Sequence, residues 1–401
     1  MSTLITCVGN TDPIRNFHDG PILHIARKYR PEKIIFIYSE GESHKKERVE
    51  KAILSIDGYH PIFEYANIEL KDDDVWKFDT MFEQISMIFN QSLSTEEDII
   101  LNLTSGTGAM NSAFFAINRI DNFNVKAIQV ITPERKSNEG IQHDNNENID
   151  ILIETNEDNV ENFEDRCHED ESKKFTESLE KMNIETLIKD YDYQGSIDLI
   201  NRGSYKNDKL LKELKEVSID IKQQRIPNGI SKMVSNKDAS KALAAYLVID
   251  FKYKQGNVSD VLIRLTSLVE FSIERYLKRK YPEMLMFELK GVYYNENYDR
   301  NLYNQLKYDN FEKVKMNIDG YYNILDYEGE RELASSVNDV NSIKNARNQV
   351  AHNLDTIRDT AMSNLKYAVP ACKKIIKTVF NFDDKVFNYY DDLNKKFIDM
   401  L

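Results

Sequence analysis

The apolar positions of this chain first come in short unbroken runs. TLITCV (3–8), KIIFIYS (33–39), IFEYANI (62–68), IILNLTS (99–105) and VKAIQVIT (125–132) each have the length of a strand. Between them the spacing changes to three and four, which predicts helices over 21–29, with Pro21 near the start, and over 42–54, 76–90 and 111–120. Strands apolar on both sides that alternate with amphipathic helices predict a parallel sheet covered on both faces. The front of the chain therefore reads as a doubly wound α/β domain, expected to end near residue 155.

From about residue 156 the alternation stops. Helical spacing runs through 175–191 and 207–224, is broken by IPNGISK at 226–232, and resumes over 241–256, 258–281 and 301–314. A last helix is expected over 360–380, bent by Pro370. Strand signals in this half are few, and the C-terminal FNFDDKVFNYYDDLNKKFIDML reads as acidic turns. The expectation is an all-α connector over 156–235 and a terminal helical domain over 236–401. Residues 134–175 read as a solvated acidic stretch between domains, apart from the apolar run IDILIE.

Composition narrows the class. With 41% apolar and 30% charged residues in 401, the chain is expected to be globular and multidomain. The N-terminal MSTLITCVGNTDP lacks a basic leader and reads as a strand, no run approaches a membrane span, and the cytoplasm is the expected compartment. Cys7, Cys167 and Cys372 are too few and too scattered for a disulfide framework or a zinc site, so no structural metal is expected. A formal net charge of −14 argues against a broad nucleic-acid-coating surface, though it leaves room for a local basic cleft.

Two predicted strand ends carry candidate chemistry. In a doubly wound sheet, ligands bind beyond the carboxyl ends of the strands. Here those ends read CVGNTDP (7–13) and TSGTGAM (104–110). Gly9, Gly106 and Gly108 allow close backbone approach, and the next helix offers free N–H groups to an anion. Asn10, Thr11, Asp12, Ser105, Thr107 and Met110 complete the candidate set. Met110 and Asn111 stand where a dinucleotide fingerprint would need its third glycine, and no Lys-Ser or Lys-Thr follows to make a Walker loop.

The helical half offers a basic patch at Arg275, Lys278, Arg279 and Lys280, either a solvated helix end or one wall of an RNA groove. It also contains NARNQVAHNLD, residues 345–355, with the chain's last histidine. On a helix, Arg347 and His352 are about 140° apart, whereas Asn348 and His352 share a face. A histidine can shuttle a proton near neutral pH and an arginine can steady a phosphoryl oxygen. RNA supplies its own 2′-hydroxyl nucleophile, so such a pair needs neither metal nor serine.

Arg347–His352 matches the R-x(4–6)-H motif of HEPN ribonucleases, and the two strand-end loops match the ligand loops of CARF domains. The whole chain resembles the ancillary ribonucleases of type III CRISPR systems: a Rossmann-like CARF domain, a helical connector, then an α-helical HEPN domain. The resemblance implies a homodimer whose paired CARF domains bind a cyclic oligoadenylate. That activator switches on metal-independent cutting of single-stranded RNA, with Arg347, Asn348 and His352 as the catalytic set and no cofactor. It also implies a protein that is not a stable subunit of the effector complex. Some members slowly cleave their activator, and Asn10 and Thr107 are the first candidates for that pocket. The likeness to members from streptococcus-like bacteria implies cyclic hexa-adenylate over the tetra-adenylate. The alternatives are a helical scaffold with a nucleotide sensor, a CARF-type transcriptional regulator without catalysis, and a nucleotide-using enzyme on the front domain with only Asp12 for chemistry.

Overall fold

The computed structural model describes residues 2–401 apart from 69, 93–97, 121–124, 134–146, 308–312 and 349–358, and apart from the side chains of 90–92, 120 and 359–361. The chain forms two compact units, Met1–Lys173 and Lys174–Leu401.

In the first unit the order is β1 (Ser2–Cys7), β2 (Ile14–Arg15), β3 (His18–Asp19), α1 (Pro21–Tyr29), β4 (Lys33–Ile37), α2 (Lys46–Leu54), β5 (Ile62–Tyr65), α3 (Phe78–Ser92), β6 (Asp98–Asn102), α4 (Gly108–Ile120), β7 (Val125–Val130), α5 (Ile149–Glu154) and β8 (Cys167–Glu169). The six-stranded sheet has the order β5-β4-β1-β6-β7-β8, parallel except for the β7–β8 pair. Successive strand residues point to opposite faces. Leu4, Ile34, Phe36 and Ile100 join Ile22 and Val49 in one core, while Ile5, Ile35, Ile37 and Leu101 join Met81, Phe89 and Phe114 in the other. Two covered faces explain why the strands are apolar throughout, as a Rossmann-like α/β sheet requires.

The apolar run IDILIE, excepted from the stretch expected to be solvated, is a helix, and the described residues after it are structured as well. Residues 149–154 form α5, whose Ile149, Leu152 and Ile153 pack on the α1–α2 core. The chain then returns to add β8 antiparallel to β7, so the sheet unit runs past residue 155 to Lys173. Buried charges hold this return in place. Arg166 donates to Asp158 at 2.6 Å and to the Asp19 carbonyl at 2.9 Å, while Arg27 clasps the Asp19 carboxylate at 2.7 and 3.0 Å. Asn156 donates a further 2.7 Å bond to Asp19. Acidity in the sequence suggested solvent here, but the matching arginines make burial affordable.

The second unit comprises α6 (Lys173–Lys189), α7 (Tyr193–Arg202), α8 (Asp208–Lys222), α9 (Asn228–Met233), α10 (Lys237–Lys254), α11 (Val258–Lys280), β9 (Leu285–Glu288), β10 (Gly291–Tyr294), α12 (Arg300–Leu306), α13 (Ile318–Tyr327), α14 (Arg331–Asn341), α15 (Lys344–Asn348), α16 (Asp359–Phe380) and α17 (Tyr389–Ile398). A continuous core runs from Ile184 to Phe397. Three expectations are corrected. The β9–β10 hairpin stands in the half where strand signals were judged few and an all-helical domain was expected. The helix expected to reach 314 stops at Leu306, because Val314 and Met316 instead exchange backbone hydrogen bonds with Tyr294 and Val292. The C-terminal acidic turns include α17, whose Tyr390 and Phe397 are buried.

Replacing Arg27 with Met leaves the Asp19 carboxylate buried without its main counter-charge. Denaturant unfolding is expected to show a loss of about 3 kcal/mol, the usual cost of breaking one side of a buried ion pair. A loss under about 1 kcal/mol would show that the cluster does not hold the unit together.

Candidate functional site

The strand order reverses between β1 and β6, so the crevice of the sheet opens at their carboxyl ends. Both candidate loops lie there. They meet backbone to backbone: a Cβ on Gly9 would sit 2.7 Å from the Gly106 nitrogen. Gly106 has φ +93°, and a Cβ there would meet Cys7 Cβ and Met110 Sδ at 2.9 Å. Gly108, by contrast, opens α4 in free space.

Most of the polar residues in these loops are committed to building them. Asp12 is buried and accepts from the Gly9 N–H at 3.0 Å and the Ile22 N–H at 3.1 Å, tying the loop to the start of α1. Burial pushes its carboxyl up to about 6, against hydrogen bonds from Ser105, Ile22 and Gly9 and the charge of Lys45. Lys45 is itself buried and donates to the Gly9 carbonyl at 3.0 Å. Ser105 is buried and accepts from Asn102 at 2.8 Å. The Thr107 hydroxyl donates to the Val75 carbonyl, and Met110 is buried.

Asn10 is exposed, and Thr11 is half-exposed on a cavity of about 190 Å³ that also presents Arg15, Thr104, Thr132 and Arg166. The buried Nε atoms of Arg15 and Arg166 lack hydrogen-bond partners among the described residues. Sequence reading missed both arginines. Arg166 lay in the stretch taken as solvent-exposed, and Arg15 lay two residues beyond the quoted loop.

Asp19, His24 and Asp158 lie close enough to share a cation, yet guanidinium groups already occupy them. Burial opposes ionisation of Asp19, but bonds from His24 and Arg27, the charge of Arg27 and a bond from Asn156 hold its carboxyl below the usual range. Arg166 takes Asp158 and approaches His24 Nδ1 at 3.2 Å. The cluster is built as an ion-pair lock.

In the helical unit, Arg347 and Asn348 close α15, and the Arg347 guanidinium donates to Asn348 Oδ1 at 3.0 Å. Its Nε is buried and without a partner among the described residues. His352 lies outside the described residues. Glu270 on α11 was not anticipated: burial and the neighbouring Glu274 push its carboxyl up, against the charge of Arg347 and a bond from the Ile318 N–H. The signal available for it was a pair of glutamates one turn apart, Glu270 lying among the apolar positions Leu268, Val269 and Phe271 of α11.

The basic patch is largely engaged locally. Arg275 pairs with Asp238 at 3.0 Å, Arg279 donates to the Val379 carbonyl at 2.9 Å, Lys280 pairs with Glu330, and Lys278 lies over the Phe287 ring at 4.9 Å.

Comparison with known proteins gives this geometry a family. Residues 61–167 match the Cas_Csm6 CARF domain and residues 231–398 the Cas_Csm6 HEPN domain. The CRISPR system endoribonuclease Csm6′ of Streptococcus thermophilus is 37% identical over 98% of both chains. The chain belongs to the Csm6 family of CRISPR endoribonucleases. A second Streptococcus thermophilus Csm6 is 36% identical over the full length of both chains. The structure of Enterococcus italicus Csm6 bound to cyclic hexa-2′-fluoro-hexa-dAMP superposes with a TM-score of 0.68, at 25% identity over all of both chains. As a Csm6-family endoribonuclease with a Rossmann-like sheet unit ahead of a mainly helical one, the chain carries Ser105–Met110 within its CARF match. Arg347, Asn348 and His352 fall within its HEPN match.

The raised Asp12 pKa makes a pH prediction. The folded chain holds this proton more tightly than the unfolded chain, whose carboxyl titrates near 3.8. The stabilisation is therefore fully present below 3.8 and is lost as pH rises through about 6. From pH 4 to 7 the wild type is expected to lose about 2 kcal/mol relative to Asp12→Asn. Parallel pH–stability curves for the two proteins would show that Asp12 is not shifted.

Proposed function

We propose that this chain is a cyclic oligoadenylate-activated, metal-independent endoribonuclease of single-stranded RNA, working as a cytoplasmic homodimer outside the stable effector complex of a type III CRISPR system. The sheet unit is the sensor. The terminal helical region, from about 236 onward, is the nuclease, and the helices of about 174–235 connect it to the sheet unit.

The observation that carries the reading is Arg347-Asn348-Gln349-Val350-Ala351-His352 inside the HEPN match, in a chain that aligns end to end with curated endoribonucleases. In the proposed chemistry His352 takes the proton of a ribose 2′-hydroxyl as its oxygen attacks the adjacent phosphorus. Arg347, steadied by Asn348, holds the phosphoryl oxygens as charge builds on them. As the bond from phosphorus to the 5′-oxygen breaks, that oxygen takes a proton from water and His352 later returns its own to solvent, leaving a 2′,3′-cyclic phosphate and a 5′-hydroxyl.

For the sensor, the reading rests on the glycine loops at the switch point and on the cyclic hexa-adenylate analogue bound by the Enterococcus relative. Cyclic hexa-adenylate is therefore favoured over the tetra-adenylate. Asn10, Thr11 and the Gly9 and Gly106 backbones are the contacts proposed for the ring. Asp12, Ser105, Thr107, Gly108 and Met110 serve by shaping the loops around it. Exposed Phe17, Trp76 and Ile131 follow the carboxyl ends of strands, the edge that a second copy would cover. Slow opening of the ring in this pocket is a further part of the proposal, and the absence of linear product from labelled activator would remove it.

The test uses purified protein and a fluorogenic single-stranded RNA in EDTA, with cyclic tri-, tetra- or hexa-adenylate. Cleavage is expected with the hexamer alone. His352→Ala is expected to lower the rate by about 10²- to 10⁴-fold while leaving activator binding intact, as loss of a general base does. Asn10→Ala is expected to shift the activator dose–response to higher concentration. Cleavage by His352→Ala at the wild-type rate would end the catalytic assignment.

A further inference from the structure

A second cavity lies in the helical unit, apart from the residues of the arginine–histidine motif. It encloses about 630 Å³, within the range of pockets that hold small organic ligands. Its walls come from the β9–β10 hairpin, from the strand-like residues 313–315, and from the start of α13. Among the described residues, the lining includes Lys307, Lys313 and Lys315 against one carboxylate, Asp319, in a chain whose formal net charge is −14. Lys313 is held by Glu288 at 2.5 Å, and its ammonium stands 5.7 Å from the centre of the Tyr293 ring. Lys307 and Lys315 are exposed and have no ion-pair partner among the described residues. The Lys315 stem lies over Gly291, where a Cβ would come within 2.9 Å of its Cε. Tyr293 and the exposed amide of Asn323 complete the wall.

These groups fit a single-stranded nucleotide. Ammonium groups take the phosphate, an aromatic ring takes the face of an unstacked base, and an amide can bond its edge. The cavity is also tied to the candidate nuclease motif. Asp319, in its wall, accepts from Asn341 at 2.7 Å and pairs with Lys344, the first residue of α15. Lys344 and Arg347 are three apart and share a side of that helix. The neighbouring Ile318 N–H bonds to Glu270, the carboxylate that feels the charge of Arg347.

We infer that this cavity is a subsite for a nucleotide of the RNA substrate flanking the cut, with Lys307 and Lys315 on its phosphate and Tyr293 and Asn323 on its base. The inference rests on the reading that α15 carries the nuclease motif. The subsite anchors the strand beside Arg347 and contributes to binding, and the base-facing pair biases where the strand is cut.

The experiment compares the full-length wild type with Lys307→Ala/Lys315→Ala, the charge-retaining Lys307→Arg/Lys315→Arg, Tyr293→Ala and Asn323→Ala. All are assayed with saturating activator on single-stranded RNA of mixed sequence. For the double alanine variant, KM is expected to rise about tenfold with kcat within twofold. The slope of log affinity against log salt should fall by about 1.4, the share of two contacts to a single strand. The double arginine variant should retain the wild-type KM. Tyr293→Ala and Asn323→Ala should redistribute the cleavage positions while leaving the activator dose–response unchanged. Unaltered KM, salt slope and cut pattern in these variants would overturn the subsite.

A binding arm separates this outcome from failure of the nuclease reading. Fluorescence anisotropy with a 2′-deoxy version of the strand, which has no nucleophile, reports binding alone. Weaker binding by the double alanine variant in a protein that cuts no RNA would keep the subsite and end the nuclease assignment. Equal binding in a protein that cuts RNA normally would do the reverse.

Discussion

The sheet unit depends on a close backbone contact between two loops that are almost a hundred residues apart in the chain. Parallel pairing of β1 with β6 delivers the loop after each strand to the same place, where Gly9 and Gly106 leave no room for a Cβ between them. Asp12 then fastens the first loop to α1, and Asn102 fastens the second through the N–H groups of Thr104 and Ser105. A ligand at this edge would meet backbone and small side chains on a rigid frame, the kind of surface that suits a phosphate-bearing ring. Rigidity comes from the same residues that sequence reading had assigned to contact.

Electrostatics divides between cations that hold the fold and cations that face outward. Arg27 and Arg166 neutralise Asp19 and Asp158 in a buried lock that carries the returning segment to β8. Arg275, Arg279 and Lys280 serve nearby carboxylates and a carbonyl at the end of α11. What faces outward near α15 is a smaller group, Lys307 and Lys315, set in a cavity wall with an aromatic ring. A net charge of −14 is thus compatible with RNA chemistry, because screening confines the influence of distant acids to about a Debye length.

The legible parts of the fold were those whose periodicity is local. The helix 21–29 was placed to the residue, and β1, β4, β6 and β7 were found from their apolar runs. The β9–β10 hairpin was missed because LMFE and GVYY are four residues each, too short for an alternation to register. The C-terminal α17 was missed because its acids hide a sparse buried face, in which only Tyr390 and Phe397 are apolar and Asn394 is polar. The switch-point loops were legible as glycines at strand ends. Arg15, Arg166 and Glu270 were not, because each is set beside residues far away in sequence: Arg15 in a cavity with Thr104 and Thr132, Arg166 against Asp19, and Glu270 near Arg347.

By itself, the sequence determined the class of each half, the places where strands end in glycine, and the arginine–histidine spacing that points to RNA cleavage. The first two rest on local chemistry, side-chain alternation and backbone freedom at glycine, while the third takes its meaning from the resemblance to HEPN ribonucleases. Only the tertiary structure decided that the two loops touch, that Thr107 and Asp12 are turned to holding those loops, and that the acidic stretch returns to close the sheet. It also decided that three lysines and a tyrosine from separate elements share one cavity beside α15. Such placements depend on long-range pairing and burial, which no local pattern encodes.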